Sequence, residues 1–173
     1  MLKQNRIFFL LLYMVMASSV KSMAQSESSP EANVIYYFTK CVEWPDDRMT
    51  ENFVIGVYQS DTLYDELRKS ISGRWVGKKR ISIIKIEDLN QEHLMVSILF
   101  VGKVELKQEN KIIHLTENEP VLIVTKKAIA PKGTCMNQTV VNQKVKLEIN
   151  KSNITSRGLK VASTLLAIGN SGN

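Results

Sequence analysis

Apolar residues between positions 31 and 44 recur with the period of an α-helix. They are Val34, Ile35, Phe38, Cys41 and Val42. The pattern predicts an amphipathic first helix that buries one stripe. Pro45 disfavours helical backbone angles at the residue before it and has no N–H to continue a hydrogen-bond ladder. We therefore expect the helix to end at Glu43 or Trp44.

Four short runs further along the chain are almost wholly apolar. They are FVIGVY at 53 to 58, ISIIKI at 81 to 86, SILFVG at 97 to 102 and VLIVT at 121 to 125. Such runs predict strands that are covered on both faces. Between them we expect a helix TLYDELRKS with Asp61 as cap and Gly73 at its end, a short helical or irregular stretch near 88 to 95, and a helix near 103 to 110. This alternation indicates parallel βα units.

The pattern changes after Thr125. MNQTVV and KVKLEI flank Asn142-Gln143, which predicts an antiparallel hairpin. Beyond the hairpin, helical spacing along one face predicts a last helix, with Asn150 or Ser152 as its cap. The residues with this spacing are Ile154, Gly158, Val161, Leu165 and Ile168. The whole pattern predicts one α/β domain with a mostly parallel sheet, helices on both faces and a late antiparallel hairpin.

The first 24 residues differ in kind from the rest. Lys3 and Arg6 precede an apolar run over residues 7 to 20, and the small residues Ser22 and Ala24 then stand at the −3 and −1 positions of a cleavage site. This pattern is typical of a secretory signal peptide. The run of about 14 residues is shorter than the ~20 needed to span a bilayer. We predict a signal peptide at 1–24, a flexible polar leader at 25–30 and one folded domain at 31–170.

Composition and charge narrow the class of partner. The chain has 173 residues, 44% of them hydrophobic, which suits one domain with its own core. Its formal charge is +6, and removal of Lys3, Arg6 and Lys21 with the signal peptide leaves +3. We expect no nucleic-acid binding by an exported protein of this modest charge. The run Lys78-Lys79-Arg80 is interpreted as a solvated loop beside a strand, with weak attraction to anionic lipid as the alternative.

Cys41 and Cys135 are the two cysteines of the chain. An even number in an oxidising compartment permits one disulfide, but sequence alone does not establish the pairing. Cys41 lies on the apolar stripe of the first helix, which favours burial, whereas Cys135 lies in a glycine-containing loop, which favours exposure. Two interpretations stay open, a bridge between Cys41 and Cys135 or two buried thiols.

The sequence carries no strong catalytic motif. It has no G-x-S-x-G elbow, no Walker A loop and no G-x-G-x-x-G after a strand. His93 and His114 have no metal-ligand partner at helical spacing, so we expect no metal site. The acids Glu43, Asp46 and Asp47 are typical of a solvated turn at a helix end, with a hydrolase site as the alternative. We expect a protein that binds without catalysis and uses no cofactor.

Several motifs together resemble the YfiR family of small periplasmic proteins. They are the signal peptide, a helix ending in VEWP, the stretch FVIGVYQSDTLYDEL, a G-x-C-M-N loop, and KLEIN followed by GLKVASTLLAIG. The resemblance covers nearly all of residues 31 to 169. It implies a non-enzymatic, Rossmann-like α/β domain that binds the periplasmic part of an inner-membrane signalling enzyme. That enzyme would be a diguanylate cyclase, whose restraint lowers cyclic di-GMP, or a histidine kinase.

One departure from the family pattern limits the resemblance. Relatives often carry two glycines before the Met-Asn pair, whereas Thr134-Cys135 stand here between Gly133 and Met136. Any redox behaviour of the family is therefore not carried over. The alternative function is a periplasmic small-molecule-binding protein without a signalling partner.

Two places on the predicted fold are candidate binding sites. The late hairpin offers a solvent-exposed face and an unpaired strand edge, which suit strand addition or self-association as a homodimer. Glu148, with Lys146 beside it, predicts a small polar pocket together with Ile154 and Arg157 at the start of the last helix. Such a pocket suits an anion or a zwitterion, and an ordinary cross-strand charge pair is the alternative.

The EWP sequence predicts a structural motif made of Glu43, Trp44 and Pro45. In this hypothesis Pro45 turns the chain and Trp44 covers the start of the strand FVIGVY. Contact with a partner is the alternative role of Trp44.

Overall fold

Eight strands form one mixed sheet in the computed structural model, which describes residues 29–45, 51–90, 92–141 and 144–171. The strands, including a separate short pair, are β1 Val42–Glu43, β2 Asn52–Tyr58, β3 Trp75–Val76, β4 Lys79–Ile86, β5 Ile98–Val101, β6 Leu122–Thr125, β7 Met136–Val141, β8 Lys144–Ile149, β9 Lys160–Val161 and β10 Asn170–Ser171. The helices are α1 Pro30–Cys41, α2 Asp61–Ser70, α3 Leu106–Leu115, α4 Lys151–Thr155 and α5 Ser163–Ile168. Together they make a single α/β domain, as predicted.

The strand order across the large sheet is β10-β8-β7-β6-β5-β2-β4-β3. The central strands β7, β6, β5, β2 and β4 run parallel to one another. β3 pairs antiparallel with β4, β8 pairs antiparallel with β7, and β10 runs parallel to β8. The prediction of a mostly parallel sheet with a late antiparallel hairpin is confirmed. The predicted turn residues Asn142-Gln143 lie outside the described residues.

The hydrophobic core follows the predicted apolar runs. All residues of β5 and β6 are buried, which is expected of parallel strands covered on both faces. β2 adds Phe53 and Ile55, and the helices α1 and α2 add Phe38 and Leu67, all of them fully buried. The four strands predicted from apolar runs are therefore confirmed.

The first helix ends earlier than predicted. It ends at Cys41, and Val42 and Glu43 form β1, which pairs antiparallel with β9. Val42 has extended backbone angles, φ −118° and ψ 139°, which suit a β-branched residue. Pairing with a distant segment therefore ends the helix before Pro45 could do so.

The predicted single last helix is also wrong. The segment forms the short helices α4 and α5, with a turn and β9 between them. Gly158 has φ +73°, a left-handed conformation that a helix interior does not allow but that glycine adopts readily. Ile154 and Leu165 are fully buried, but Ile168 on the same predicted face is 65% exposed, because the helical period does not continue through the turn.

Other element boundaries shift by a few residues. α3 begins at Leu106 because the Gln108 side chain accepts a hydrogen bond from the Glu105 backbone N–H at 3.0 Å, which is half of a capping box. Asp61 is the first residue of α2 and not its cap, and its carboxylate pairs with Lys85 at 3.0 Å. The described residues between 88 and 95 are irregular.

The predicted signal peptide and most of the predicted leader lie outside the described residues. Ser29 and Pro30, the last residues of the predicted leader, are the cap and the first residue of α1. The Ser29 hydroxyl accepts a hydrogen bond from the Ala32 N–H at 3.1 Å, and Pro30 opens α1, where its missing N–H costs nothing. No helix within the described ranges combines the length and the apolar character that crossing a bilayer requires.

Candidate functional site

Asn137 connects three neighbouring strands at the carboxyl end of the parallel sheet. In β7 it lies opposite Thr125, the last residue of β6, and opposite Glu148 of β8. Side chains in register on adjacent strands share one face of a sheet and approach each other closely. The carboxyl ends of parallel strands are also where α/β proteins commonly bind ligands.

The Asn137 side chain uses all four of its hydrogen-bonding positions. Its Oδ1 accepts from the Thr125 hydroxyl at 2.8 Å and from the Lys127 backbone N–H at 3.0 Å. Its Nδ2 donates to the Lys127 carbonyl at 3.0 Å and to Glu148 Oε2 at 3.1 Å. Asn137 is fully buried, so these bonds satisfy polar groups that water does not reach. The amide therefore fixes both Glu148 and the start of the loop after β6.

A cavity of about 500 Å³ lies beside this network. One wall is the loop from residue 128 to 135, and the other is the junction of β8 with α4. Its polar lining includes Asn137, Glu148, Asn150 and Asn153. The volume lies within the ~300–1,000 Å³ range of small-molecule sites. The Asn137 amide is fully engaged in the network, so the charged groups of the lining are the Glu148 carboxylate and the Lys132 ammonium, which suit a zwitterion such as a free amino acid.

Two asparagines hold the cavity wall together. Asn150 caps α4 by accepting a hydrogen bond from the Asn153 backbone N–H at 2.9 Å. The Asn153 side-chain amide donates to the Thr134 carbonyl at 2.7 Å. α4 has only five residues and its cap position is filled by Asn150. The helix end therefore has one backbone N–H fewer for an anion, and anion binding there stays a prediction.

Cys135 belongs to the wall of the cavity, and Arg157 lies near its thiol. The Cys135 thiol is buried, with its Sγ 3.8 Å from the Asn153 carbonyl oxygen. Burial raises the pKa of the Cys135 thiol, and the nearby Arg157 opposes this with a smaller effect. Arg157 is itself buried and donates a hydrogen bond to the Thr116 carbonyl. A protonated and enclosed thiol is a poor nucleophile, so this cysteine is a structural group.

The structure brings together only part of the predicted polar pocket. Glu148 lines the cavity, but it binds Asn137 and not an arginine. Arg157 points to the Thr116 carbonyl, and Ile154 is fully buried in the core. Lys146 is exposed on the hairpin. The four residues do not share one pocket, and their role in binding stays a prediction.

The suggested disulfide is not formed. Cys41 and Cys135 are both free and both buried. Cys41 lies at the end of α1, where its carbonyl accepts a hydrogen bond from Ala162, whereas Cys135 precedes β7 and packs against Asn153. The two cysteines therefore belong to different parts of the core, and the prediction of an exposed Cys135 is corrected.

Trp44 packs against the amino ends of two central strands. Its ring meets the ring of Phe53 edge to face, with centroids 4.8 Å apart and planes at 89°. Its Nε1 donates to the Ser97 carbonyl at 3.0 Å, just before β5. Such contacts combine apolar burial with a satisfied N–H. Glu43 is exposed in β1, and Pro45 is half-buried beyond Trp44.

Of the three acids considered for a hydrolase site, only Glu43 lies in the part of the chain that the structure describes. Glu43 is exposed on the short β1–β9 pair, and Asp46 and Asp47 lie outside the described residues. Among the residues that the structure describes, no group of three or more His, Cys, Asp or Glu side chains is placed to hold a metal ion.

Sequence reasoning missed Asn137, the central residue of the network. The sequence did contain a clue to it. MNQTVV places an asparagine and a glutamine at the start of a strand, and both residue types are uncommon in the middle of a buried sheet. A buried asparagine in a strand needs four partners. The strand register supplies Thr125 and Glu148, and the Lys127 backbone just after β6 supplies the other two.

The sequence matches the YfiR/HmsC-like family over residues 28–170, a range that includes every element of the domain except the end of β10. The chain belongs to the YfiR/HmsC-like family. Proteins of this family are periplasmic and regulatory rather than catalytic, and the family suggests a regulator in cyclic di-GMP signalling. A search of curated proteins found no match.

Proposed function

We propose that the chain is an exported, non-enzymatic regulator that binds the periplasmic region of an inner-membrane signalling enzyme. The family match over residues 28–170 carries the proposal, because the family suggests a regulator in cyclic di-GMP signalling. The proposed enzyme is a diguanylate cyclase, and its restraint lowers cyclic di-GMP. The signal-peptide pattern at residues 1–24 supports export.

The proposed contact surface for this enzyme is the loop that borders the cavity. Ile129 in this loop is 84% exposed, although apolar side chains of this size are usually buried. The loop is fixed at one end by the bond from Lys127 to Asn137 and at the other by the bond from Asn153 to Thr134. A loop held in place loses less conformational entropy on binding, which favours affinity.

Co-purification from solubilised inner membranes tests this proposal. A tagged copy is expected to recover a membrane protein with a cytoplasmic cyclase domain, and deletion of the gene is expected to raise cellular cyclic di-GMP. Ile129→Glu is expected to remove both the recovery and the restraint, because a charge at the centre of an interface opposes its desolvation.

Leu106→Glu is the matched control. Leu106 is 71% exposed at the start of α3, so the same change of chemistry is made on another surface and both readouts should keep their wild-type values. Recovery of a histidine kinase would replace the cyclase as the partner. If no membrane protein is recovered and cyclic di-GMP stays constant on deletion, the regulator proposal is rejected.

The cavity favours a second candidate function, a periplasmic small-molecule-binding protein without a signalling partner. Its size and the charged groups of Glu148 and Lys132 support this alternative. A ligand that binds only the folded state raises the melting temperature as its concentration increases. Thermal shifts with a panel of free amino acids therefore test the proposal.

Glu148→Gln and Glu43→Gln make a matched pair for that measurement. Glu148 lines the cavity, whereas Glu43 is exposed on the short β1–β9 pair. A shift that Glu148→Gln abolishes and Glu43→Gln preserves would support binding in the cavity. A panel without any shift would argue against this candidate.

Self-association through the late hairpin is a separate proposal. β10 pairs with Glu148 and Ile149, so within the described part residues 144 to 147 of β8 form an open edge. This edge carries lysine at positions 144 and 146, and edge lysines hinder the pairing of like strands. An acidic partner strand therefore suits the edge better than a second copy. Sedimentation at micromolar concentration tests the homodimer, which a single monomeric species would contradict.

A further inference from the structure

A positively charged surface lies at the other side of the sheet, around the edge strand β3. Residues 67 to 86 include seven lysines and arginines but no aspartate or glutamate. β3 and the start of β4 form a tight hairpin within this segment, with Gly77 at φ +58° in the turn. The hairpin therefore concentrates positive charge at one end of the strand order.

Trp75 lies at the centre of this surface and is 51% exposed. Arg80, its partner in register on β4, places its guanidinium 5.0 Å from the indole centroid. Lys40 of α1 donates a hydrogen bond from its Nζ to the Trp75 carbonyl at 3.0 Å. The indole is thus held among cations while about half of its residue surface faces solvent.

Tyr36 of α1 extends the same arrangement. The Lys40 ammonium and the Arg74 guanidinium each lie 5.0 Å from its ring centroid. Such distances are within the range of cation–π attraction, which fixes the positions of the cations. The cation–aromatic patch is defined here as Tyr36, Lys40, Arg74, Trp75, Lys78 and Arg80.

Three cations of the patch, Arg74, Lys78 and Arg80, form no ion pair with an aspartate or glutamate among the described residues. Lys85, further along β4, differs because it pairs with both Asp61 and Glu87. The patch therefore presents net positive charge to whatever approaches it.

We propose that the cation–aromatic patch docks on the surface of an anionic phospholipid bilayer. Tryptophan is enriched at the headgroup level of membranes, where its ring meets the acyl boundary and its N–H stays wet. Lysine and arginine beside it bind lipid phosphates and keep their apolar stems in the interface. The exposed Trp75, flanked by Arg74 and Arg80, has this combination of groups.

An acidic protein segment is the less suitable occupant. β3 has only two residues, so its edge offers little backbone for strand addition. A lipid surface needs no such register and uses the cations and the indole directly. The proposal does not depend on which membrane enzyme, if any, the protein regulates.

Vesicle binding tests the proposal with protein recovered from the periplasm and no partner present. Binding to vesicles of phosphatidylglycerol and phosphatidylcholine is expected, with weaker binding as salt is raised, because salt screens exposed charges. Vesicles of phosphatidylcholine alone are expected to bind much less. Absence of salt-sensitive binding to the anionic vesicles would overturn the proposal.

Tryptophan fluorescence identifies the surface that touches the lipid. The chain has two tryptophans, of which Trp44 packs against Phe53 and Trp75 is exposed. Lipids with brominated acyl chains are expected to quench the wild-type emission. Trp75→Phe should remove that quenching, and quenching that persists in this variant would contradict the assignment.

A pair of double substitutions separates the patch from overall charge. Lys78→Gln with Arg80→Gln and the control Lys103→Gln with Lys107→Gln remove the same two charges, and all four residues are exposed. Loss of one contacting cation is expected to weaken partition about fivefold, so the patch pair should lose about 25-fold and the control roughly twofold or less. Equal losses would show general attraction and reject the patch.

The same variants show whether a protein occupies the patch instead. The outcome would be a wild type that does not bind vesicles but recovers a membrane protein by co-purification. The control pair would keep that recovery, and the patch pair, still folded by circular dichroism, would lose it. The patch would then be a protein-docking surface, and the lipid proposal would be wrong.

Discussion

The side-chain amide of Asn137 donates a hydrogen bond to the Glu148 carboxylate across the β7–β8 hairpin, with 3.1 Å between Nδ2 and Oε2. The two residues lie directly opposite each other in the strand register. This bond joins a fully buried residue to a wall of the cavity, so the position of the carboxylate depends on the core of the sheet.

Asn137→Ala is expected to lower the free energy of unfolding by about 2–4 kcal/mol, because it leaves several buried or partly buried groups without partners. Those groups are the Thr125 hydroxyl, the Lys127 backbone and the Glu148 carboxylate. Urea denaturation measures the change. Thr139→Ala in the same strand is the control, since its hydroxyl makes only a 3.5 Å bond near the surface, and it should stay within about 0.5 kcal/mol of wild type. Similar losses in both variants would contradict a special role for Asn137.

Substitution of Gln138, the next residue of β7, is expected to raise stability, unlike substitution of Asn137. Its side chain is 4% exposed, and within the described part of the chain its Nε2 has no hydrogen-bond partner. Gln138→Met keeps the length of the side chain and removes the unsatisfied donor, so stability should rise by about 1–2 kcal/mol. A lower denaturation midpoint in urea would show instead that the amide has a partner in solution, such as an ordered water.

The main features of the fold were predictable because they depend on local composition. The apolar runs that became β2, β5 and β6 are covered on both faces, and coverage of that kind leaves a continuous signal in sequence. β4 was found from its β-branched residues, although Ile84 on its second face is 39% exposed. The errors occur where segments distant in the chain meet. Val42 leaves its helix to pair with Val161, and neither segment carries that information alone. Gly158 follows a helical pattern but adopts a left-handed conformation, because the chain turns there toward β9.

The candidate site was predictable only in part for a similar reason. Glu148 was identified as the single acid in a row with Lys144 and Lys146, and the structure places it at the cavity. Its partner follows from the register of β7 with β8, which fixes Asn137 opposite it. The orientation of Arg157 depends on the turn at Gly158 and on the Thr116 carbonyl, a contact between distant segments. Sequence spacing therefore found the acid but not its neighbour.

Gly102 and Gly73 provide a comparison between steric overlap and backbone strain. A Cβ at Gly102, which follows β5, would overlap the carbonyl oxygen of Gln59 beyond β2. Gly102→Ala is therefore expected to cost about 3 kcal/mol or more, because backbone must move. Gly73 has φ +78° but open space around it, so Gly73→Ala should cost only about 1–2 kcal/mol. Thermal denaturation followed by circular dichroism measures both, and equal losses would contradict the overlap at Gly102.

Cys135 is expected to make the folded state less stable in alkali. Burial raises the pKa of its thiol above the ordinary value of 9.0, and the opposing effect of Arg157 is smaller. The folded protein therefore keeps a proton that the unfolded chain releases as the pH rises. This contribution to stability is complete below about pH 9 and is lost as the pH rises through the folded-state pKa.

Cys135→Ala removes this titration, so its free energy of unfolding should fall less steeply than that of the wild type above about pH 9. Urea denaturation at a series of alkaline pH values measures the slope. Thr134→Ala is the control for the loss of a small buried side chain beside Cys135, and it should keep the wild-type slope because the threonine hydroxyl does not titrate in this range. Lysine and tyrosine titrations are common to all three proteins and cancel in the comparison. If Cys135→Ala kept the full alkaline slope, the thiol would not hold its proton more tightly in the folded protein, and the buried environment assigned to it in the cavity wall would be wrong.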